Sequence, residues 1–188
     1  MQRLKRRYRF FHSYKQDPPW DTNISPPELF DFLQSHPTGR ALDIGCGTGT
    51  NLVTIAEMGW QVDGIDYIGK AVRTARQKMG NRNLSINVYY GDFLSQNYLE
   101  GPYNLILDMG CYQSLPDVDK RIYEKKILAL LAHDGCFYLN GFLQVHKSRR
   151  GIRQEDIKAL SEQFRLVENV RCMGINDRPA TWLLFQSK

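Results

Sequence analysis

Three glycines and two acids carry the chemistry of this chain. Asp43 precedes Gly45, Gly47 and Gly49, spaced G-x-G-x-G within residues 41–51, and Asp66 closes the apolar run 61–66. Glycines lack Cβ atoms, so such a turn can take positive φ and let its backbone press against a ligand. A helix beginning near Thr50 would aim unpaired N–H groups at the same place. At the end of the next strand the Asp66 carboxylate could accept bonds from two ribose hydroxyls. Strand, glycine turn, helix, strand, acid is the layout of a nucleotide-type cofactor site in an open α/β sheet. The dinucleotide fingerprint, G-x-G-x-x-G, sits beneath a pyrophosphate. Here the spacing is tighter, and Asp43 suits an ammonium better than a pyrophosphate, which disfavours a nicotinamide-type oxidoreductase.

Asp43, Gly45, Gly47 and Gly49 resemble the motif of the class I S-adenosylmethionine-dependent methyltransferases, an acid, any residue, then GxGxG. The resemblance implies S-adenosylmethionine as cofactor. Its methionine end would lie on the loop, Cys46 and Asn51 included, its ribose on Asp66, and its adenine against Tyr67, Asp92 and Phe93. Asp108, at the end of the fourth strand, would face the transferable methyl.

Two more segments are similar to the thiopurine, halide and thiol methyltransferase group: Pro18-Pro19-Trp20-Asp21-Thr22, and Asp108-x-Gly110-Cys111-Tyr112-x-x-Leu115. That likeness implies Trp20 over the sulfonium, touching cofactor and substrate. It also implies an acceptor pocket of Cys111, Tyr112, Gln113, Asn140 and Phe142. Asn23 stands where relatives tend to have Gly, and Gln113 where many have His. A sulfonium methyl is already activated, so a thiolate or halide needs only in-line alignment. An amine or hydroxyl acceptor would need a base, for which Asp108, Tyr112, His12 and His146 are the candidates. The expected activity is methyl transfer to a small molecule with a soft sulfur or halide-like nucleophile. The alternatives are methylation of protein or nucleic acid through a basic N-terminal arm, or a non-catalytic cofactor-binding module.

The charge is confined. Residues 1–15 hold six basic residues and no acid; removing those six from the 25 basic residues leaves 19 against 20 acidic. A near-neutral body argues against a nucleic-acid partner. The arm's Tyr8, Phe10, Phe11 and Tyr14 would pack on the domain or cover the site. No apolar run approaches the ~20 residues of a membrane span. Four cysteines form no CxxC pair and no metal-ligand spacing, which fits a reducing, cytoplasmic compartment without a metal.

The elements that must position these residues follow from periodicity. Strands are expected at 41–44, 61–65, 85–90, 103–107, 136–140, 164–170 and 181–186. Helices are expected from an N-cap at Ser25 to Ser35, over 50–58 and 69–79, from a cap at Asp119 to Asp134-Gly135, and over 154–163. The last two strands are joined too tightly for a crossover and should pair antiparallel. The reading is one domain over 1–188, an arm at 1–24 and a core at 25–188. Its fold class is α/β, a doubly wound Rossmann-like, seven-stranded, mainly parallel sheet with an antiparallel C-terminal hairpin. Residues 146–151, basic and flanked by loops, are read as a lid, an anion site or a solvated loop.

Overall fold

The structure, a computed structural model, describes residues 2–16, 18–80, 82–145 and 150–188. In chain order the first elements are α1 (Gln2–Ser13), α2 (Pro27–Ser35), β1 (Arg40–Ile44), α3 (Thr50–Glu57), β2 (Gln61–Asp66), α4 (Gly69–Met79) and β3 (Ile86–Tyr90). They are followed by β4 (Tyr103–Met109), a 3-10 turn (Tyr112–Ser114), α5 (Asp117–Leu130), β5 (Leu131–Phe142), α6 (Gln154–Gln163), β6 (Phe164–Gly174) and β7 (Arg178–Ser187). The seven strands form one sheet in the order β3-β2-β1-β4-β5-β7-β6. β5–β7 and β6–β7 are antiparallel, and β1–β2, β2–β3 and β4–β5 parallel. This is the doubly wound, Rossmann-like class, with the antiparallel C-terminal strands expected from the short connection.

The chain divides into two compact units, Met1–Ser95 and Gln96–Lys188. In the first, β1 and β2 are buried along nearly their whole length, as parallel strands covered on both faces are. The helices bury residues at helical spacing: Leu29, Phe32 and Leu33 of α2, Leu52, Ile55 and Ala56 of α3, Ala71, Val72 and Ala75 of α4. The small residues of α4 let it approach closely, which matters below.

The second unit is built on aromatic rings. Phe137 of β5 lies 6.3 Å from Tyr123 of α5, 6.1 Å from Phe164 and 6.0 Å from Phe185, all four side chains being wholly or almost wholly buried. β6 is the sheet edge, and its exposed Arg165, Glu168 and Arg171 discourage edge-to-edge pairing.

Several boundaries moved for physical reasons. The arm forms a helix, α1, of 12 residues. Ser25 does not cap α2, which starts at Pro27 after Pro26; its Oγ instead donates to Asn51 Oδ1 at 2.8 Å, a tertiary bond replacing a local one. α5 begins at Asp117, with Asp119 buried in its first turn, and ends at Leu130. Asp134 (φ 59°) and Gly135 then lie inside β5, where the β4–β5 register shifts. A Cβ on Gly135 would sit 2.8 Å from the Tyr103 carbonyl oxygen, so this glycine serves a bulge rather than a helix end. Strand β4 extends to Met109 and so includes Asp108, which stands opposite Leu139. His146 and most of the basic 146–151 segment lie outside the described residues.

Truncating Phe137→Ala removes a wholly buried ring and should cost about 3–5 kcal/mol. The urea midpoint should fall with an unchanged slope. A loss below about 1 kcal/mol would mean that these rings do not form the core of the second unit.

Candidate cofactor site

The loop after β1 takes its shape from three left-handed glycines, Gly45 (φ 75°), Gly47 (φ 55°) and Gly49 (φ 83°). Two of them are also places of close approach. A Cβ on Gly49 would lie 2.9 Å from Ala75 Cβ and 3.2 Å from Ala75 Cα, so α4 passes directly behind the loop. A Cβ on Gly47 would lie 2.7 Å from the Tyr14 hydroxyl. The loop is stitched to the end of β2: Gly45 N and Cys46 N donate to the Ile65 carbonyl at 2.8 and 3.2 Å. Asp43, at the carboxyl-terminal half of β1, is buried, and so is Cys46.

Asp66 is the other half of that seam. Its Oδ2 accepts from Gly47 N at 3.0 Å and its Oδ1 from Ile68 N at 2.7 Å. One carboxylate thus ties the β1–α3 turn to the β2–α4 turn. Burial raises its pKa to about 6, against the lowering effect of the amides of Ile68, Gly47 and Tyr67. A carboxylate has about four acceptor positions, so with these three amides one remains for a hydroxyl.

Around this seam the same unit gathers side chains that sequence spacing did not reveal. Lys78 of α4 donates to Asn23 Oδ1 (2.6 Å), Thr48 Oγ1 (2.9 Å) and Thr50 Oγ1 (3.3 Å), and Thr48 donates to Asp21 at 2.6 Å. This clamp fastens the Pro18–Asn23 segment to the glycine loop. Asn23 sits at φ 58°, a left-handed conformation that Gly and Asn tolerate best. Tyr14 is buried against Ile68 and Ala71, with Phe10 and Tyr67 packed beside it. Trp20 is 44% exposed and meets Phe10 and Tyr14 edge-on, at 5.9 and 6.3 Å. Tyr67 lies 6.2 Å from Phe10, with the Arg6 guanidinium 6.0 Å from its ring. Asp92 accepts from Leu94 N at 3.0 Å, and with Tyr67, Arg6 and Arg3 lines a small cavity of about 130 Å³. Phe93 is a core residue. The cofactor residues expected before β4 are therefore brought together, apart from Asn51, which is engaged by Ser25, and Phe93. Only residue contacts in three dimensions could have found Tyr14 and Lys78.

In the second unit the end of β4 is a closed network. Asp108 is wholly buried and accepts from Cys111 N (2.7 Å), Tyr112 N (2.9 Å) and the Tyr123 hydroxyl (2.5 Å). Burial raises its pKa to about 6, opposed by those same hydrogen bonds and that of Gly110. Tyr112 is also wholly buried; its hydroxyl donates to Glu124 at 2.7 Å, and burial, then Glu124, push its pKa far up. Asp108 and Tyr112, two of the four base candidates, therefore face inward, as braces of the turn after β4. Gln113 points the other way along the turn and accepts from Phe142 N at 2.6 Å. Asn140 donates to the Thr181 carbonyl at 3.2 Å and its own carbonyl accepts from Gly110 N at 3.0 Å. The Arg178 guanidinium covers the Phe142 ring at 3.9 Å. Cys111, Gln113, Asn140 and Phe142 thus share one end of this unit and are only partly buried. His12, an exposed residue of α1 in the first unit, meets the Tyr8 ring at a tilt, the centroids 4.5 Å apart.

Residues 41–135, just over half of the chain, match the methyltransferase domain family. The chain belongs to that family and is a class I S-adenosylmethionine-dependent methyltransferase. An uncharacterized methyltransferase of Schizosaccharomyces pombe is 29% identical over 110 residues, 58% of this chain and 76% of the relative. The probable thiol methyltransferase 2 of Arabidopsis thaliana is 34% identical over 82 residues, 43% of this chain but 35% of that protein. Among solved structures, the N-methyltransferase NodS of Bradyrhizobium japonicum in complex with S-adenosyl-L-homocysteine shares the fold. Its TM-score is 0.83 at 22% identity, over 96% of this chain and 98% of that one.

The two raised carboxyl groups have a measurable consequence. Asp66 and Asp108 hold a proton more tightly folded than unfolded, so their contribution is fully present below pH ~4 and lost as pH rises through ~6. Two pKa units each correspond to roughly 3 kcal/mol per group. Chemical unfolding between pH ~4 and ~6.5 should show stability falling with pH, and Asp66→Asn should flatten the slope by about half. Stability that climbs across this window would contradict the burial of these carboxyls. Asp156, held low mainly by Arg153 and Lys120 against its own burial, acts with the opposite sign and below this window.

Proposed function

We propose that residues 1–188 act as one methyltransferase domain moving a methyl group from S-adenosylmethionine to a small molecule with a soft sulfur or halide-like nucleophile. The observation that carries this reading is the saturation of Asp108, whose carboxylate accepts from the Tyr123 hydroxyl and the Cys111, Tyr112 and Gly110 amides while Tyr112 spends its hydroxyl on Glu124. The end of β4 therefore offers neither of these groups as a free base, and a thiolate or halide requires none. The likeness of the Pro18–Thr22 and Asp108–Leu115 segments to the thiopurine, halide and thiol group supports the same acceptor class.

The residues fit the cofactor. The left-handed glycines let the loop backbone approach a ligand closely, and Asp66, with three amides on about four acceptor positions, retains one for a ribose hydroxyl. In this reading Asp43 and the 45–49 loop with Cys46 serve the methionine end, Asp66 the ribose, and Tyr67 and Asp92 the adenine. When bound, S-adenosylmethionine supplies an already activated sulfonium methyl. Trp20 presents an indole whose face favours a cation by roughly 0.5–2 kcal/mol. Asp108 and Tyr112 hold the 111–114 turn in place, and Gln113 orients a polar acceptor beside Asn140 and Phe142. Catalysis is then alignment in a dry pocket, an effect that reaches ~7–11 kcal/mol.

Ribose recognition by the Asp66 carboxylate makes cofactor affinity pH-dependent. Calorimetric titration with S-adenosylhomocysteine should show weakening as pH falls below about 6, approaching tenfold per unit. Asp66→Asn should weaken binding at least about tenfold and remove the pH dependence; affinity that is flat in the unsubstituted protein would refute this assignment.

The acceptor class is tested with labelled S-adenosylmethionine against thiols, thiopurine, iodide, thiocyanate, phenols and amines, with RNA and a protein lysate alongside. Label should pass to the soft small acceptors. Across thiols of different acidity, the midpoint of the pH–rate curve should track each thiol's own pKa. One midpoint common to all thiols would reveal an enzyme base, and label confined to RNA or protein would replace the small-molecule reading.

A further inference from the structure

Helix α1 has two faces. Arg6, Phe10 and Tyr14, at i, i+4 and i+8, turn inward, with Arg6 and Tyr14 buried. Leu4, Arg7, Tyr8 and Phe11, at i, i+3, i+4 and i+7, turn to a cleft of about 720 Å³ whose far wall includes Lys70 and Arg73 of α4 and Tyr90 of β3. That volume lies within the range of small-molecule sites. The glycine loop, Asp66 and Asp92 do not line it; Tyr67 alone is shared with the expected cofactor residues.

Its chemistry is one-sided. Lys5, Arg7, Lys70 and Arg73 border the cleft, and among the described residues no carboxylate does. Beside them stand exposed rings, Tyr8 at 65% and Tyr90 at 51%. Part of the cleft is already held in place. Arg7 donates to the Tyr90 hydroxyl with its guanidinium 5.9 Å from that ring, and Lys70 Nζ donates to the Tyr14 carbonyl at 2.7 Å. Tyr8 is packed on His12. The first turn of α4, an 11-residue helix starting at Gly69, adds N–H groups that favour negative charge.

A bare anion would satisfy the cations and leave the rings in water. An apolar ligand would cover the rings at the cost of desolvating several charges. Both are served by a planar ring carrying phosphate, since bases stack on aromatic side chains and guanidinium planes while phosphate meets Lys and Arg. We propose that the cleft between α1 and α4 is a second binding site, distinct from the cofactor residues, for a nucleotide unit. Its source is either a free nucleotide or a residue of a single-stranded chain.

The test uses the full chain saturated with S-adenosylhomocysteine and a fluorescent nucleoside monophosphate read by anisotropy. Unlabelled uridine monophosphate and a uridine tetranucleotide compete, with uridine and inorganic phosphate as partial ligands. The nucleotide should displace the probe at least about tenfold better than either part alone. Tyr8→Ala and Arg73→Ala, both at exposed positions, should each raise Kd about fivefold or more. Lys158→Ala, which removes one exposed charge on α6, should leave Kd unchanged. A tetranucleotide competing well beyond its fourfold statistical advantage identifies a strand as the ligand; equal competition per unit identifies the free nucleotide. The proposal is overturned by any of three results: no saturable binding to the S-adenosylhomocysteine-saturated protein, phosphate matching the nucleotide, or Kd indifferent to both cleft variants.

Discussion

The Asp66 carboxylate is the constraint on which the first unit depends. By accepting from Gly47 N and Ile68 N it joins two turns that are 19 and 2 residues away in sequence. The glycine loop can reach it only because its three glycines take left-handed φ, and it can stay there only because α4 offers Ala75 where a larger residue would collide with Gly49. Burial that makes this carboxylate costly to ionise is the same burial that makes it a strong acceptor for a ligand hydroxyl. Its environment therefore serves both the fold and the cofactor reading.

At the end of β4 a similar acid has a different task. Asp108 is enclosed by two backbone amides and the Tyr123 hydroxyl, and it is part of a buried polar layer on α5. In that layer Tyr112 reaches Glu124, Glu124 accepts from Gln163, and Lys120 pairs with Asp156 at 2.6 Å. Buried polar groups of this kind are tolerated when each has a partner. The layer holds the 111–114 turn rigidly, so that Cys111 and Gln113 are presented while Asp108 and Tyr112 are not. An acid at a strand end in an open α/β sheet is thus no reliable sign of a proton-transfer group; its hydrogen bonds decide.

Helix α1 shows how one segment serves two surfaces. Its inward stripe closes the aromatic set of Phe10, Tyr14, Tyr67 and Trp20, and its outward stripe, Leu4, Arg7, Tyr8 and Phe11, borders the cleft with Lys5. The basic arm, whose aromatic set was read as packing on the domain or covering the site, is a helix with charges and rings interleaved at helical spacing.

Much of the fold was legible in the residues alone. Alternating apolar strands and amphipathic helices set the parallel order, and the short connection after β6 dictated the antiparallel pairing with β7. The G-x-G-x-G loop and Asp66 were legible because positive φ and a strand-end acid are local demands that leave a mark at fixed spacing. The Asp134-Gly135 bulge was misread as a helix end, since glycine serves both and only the Tyr103 carbonyl shows which. Ser25 was misread as a cap because its hydroxyl found Asn51, 26 residues away. Tertiary structure alone decided that Tyr14 stands over Gly47, that Lys78 clamps the Pro18–Asn23 segment, and that Asp108 and Tyr112 point inward. These are contacts between side chains far apart in sequence, and no local periodicity records them. Sequence determined which backbone shapes and apolar faces were possible; packing determined which polar atoms were left to meet a ligand.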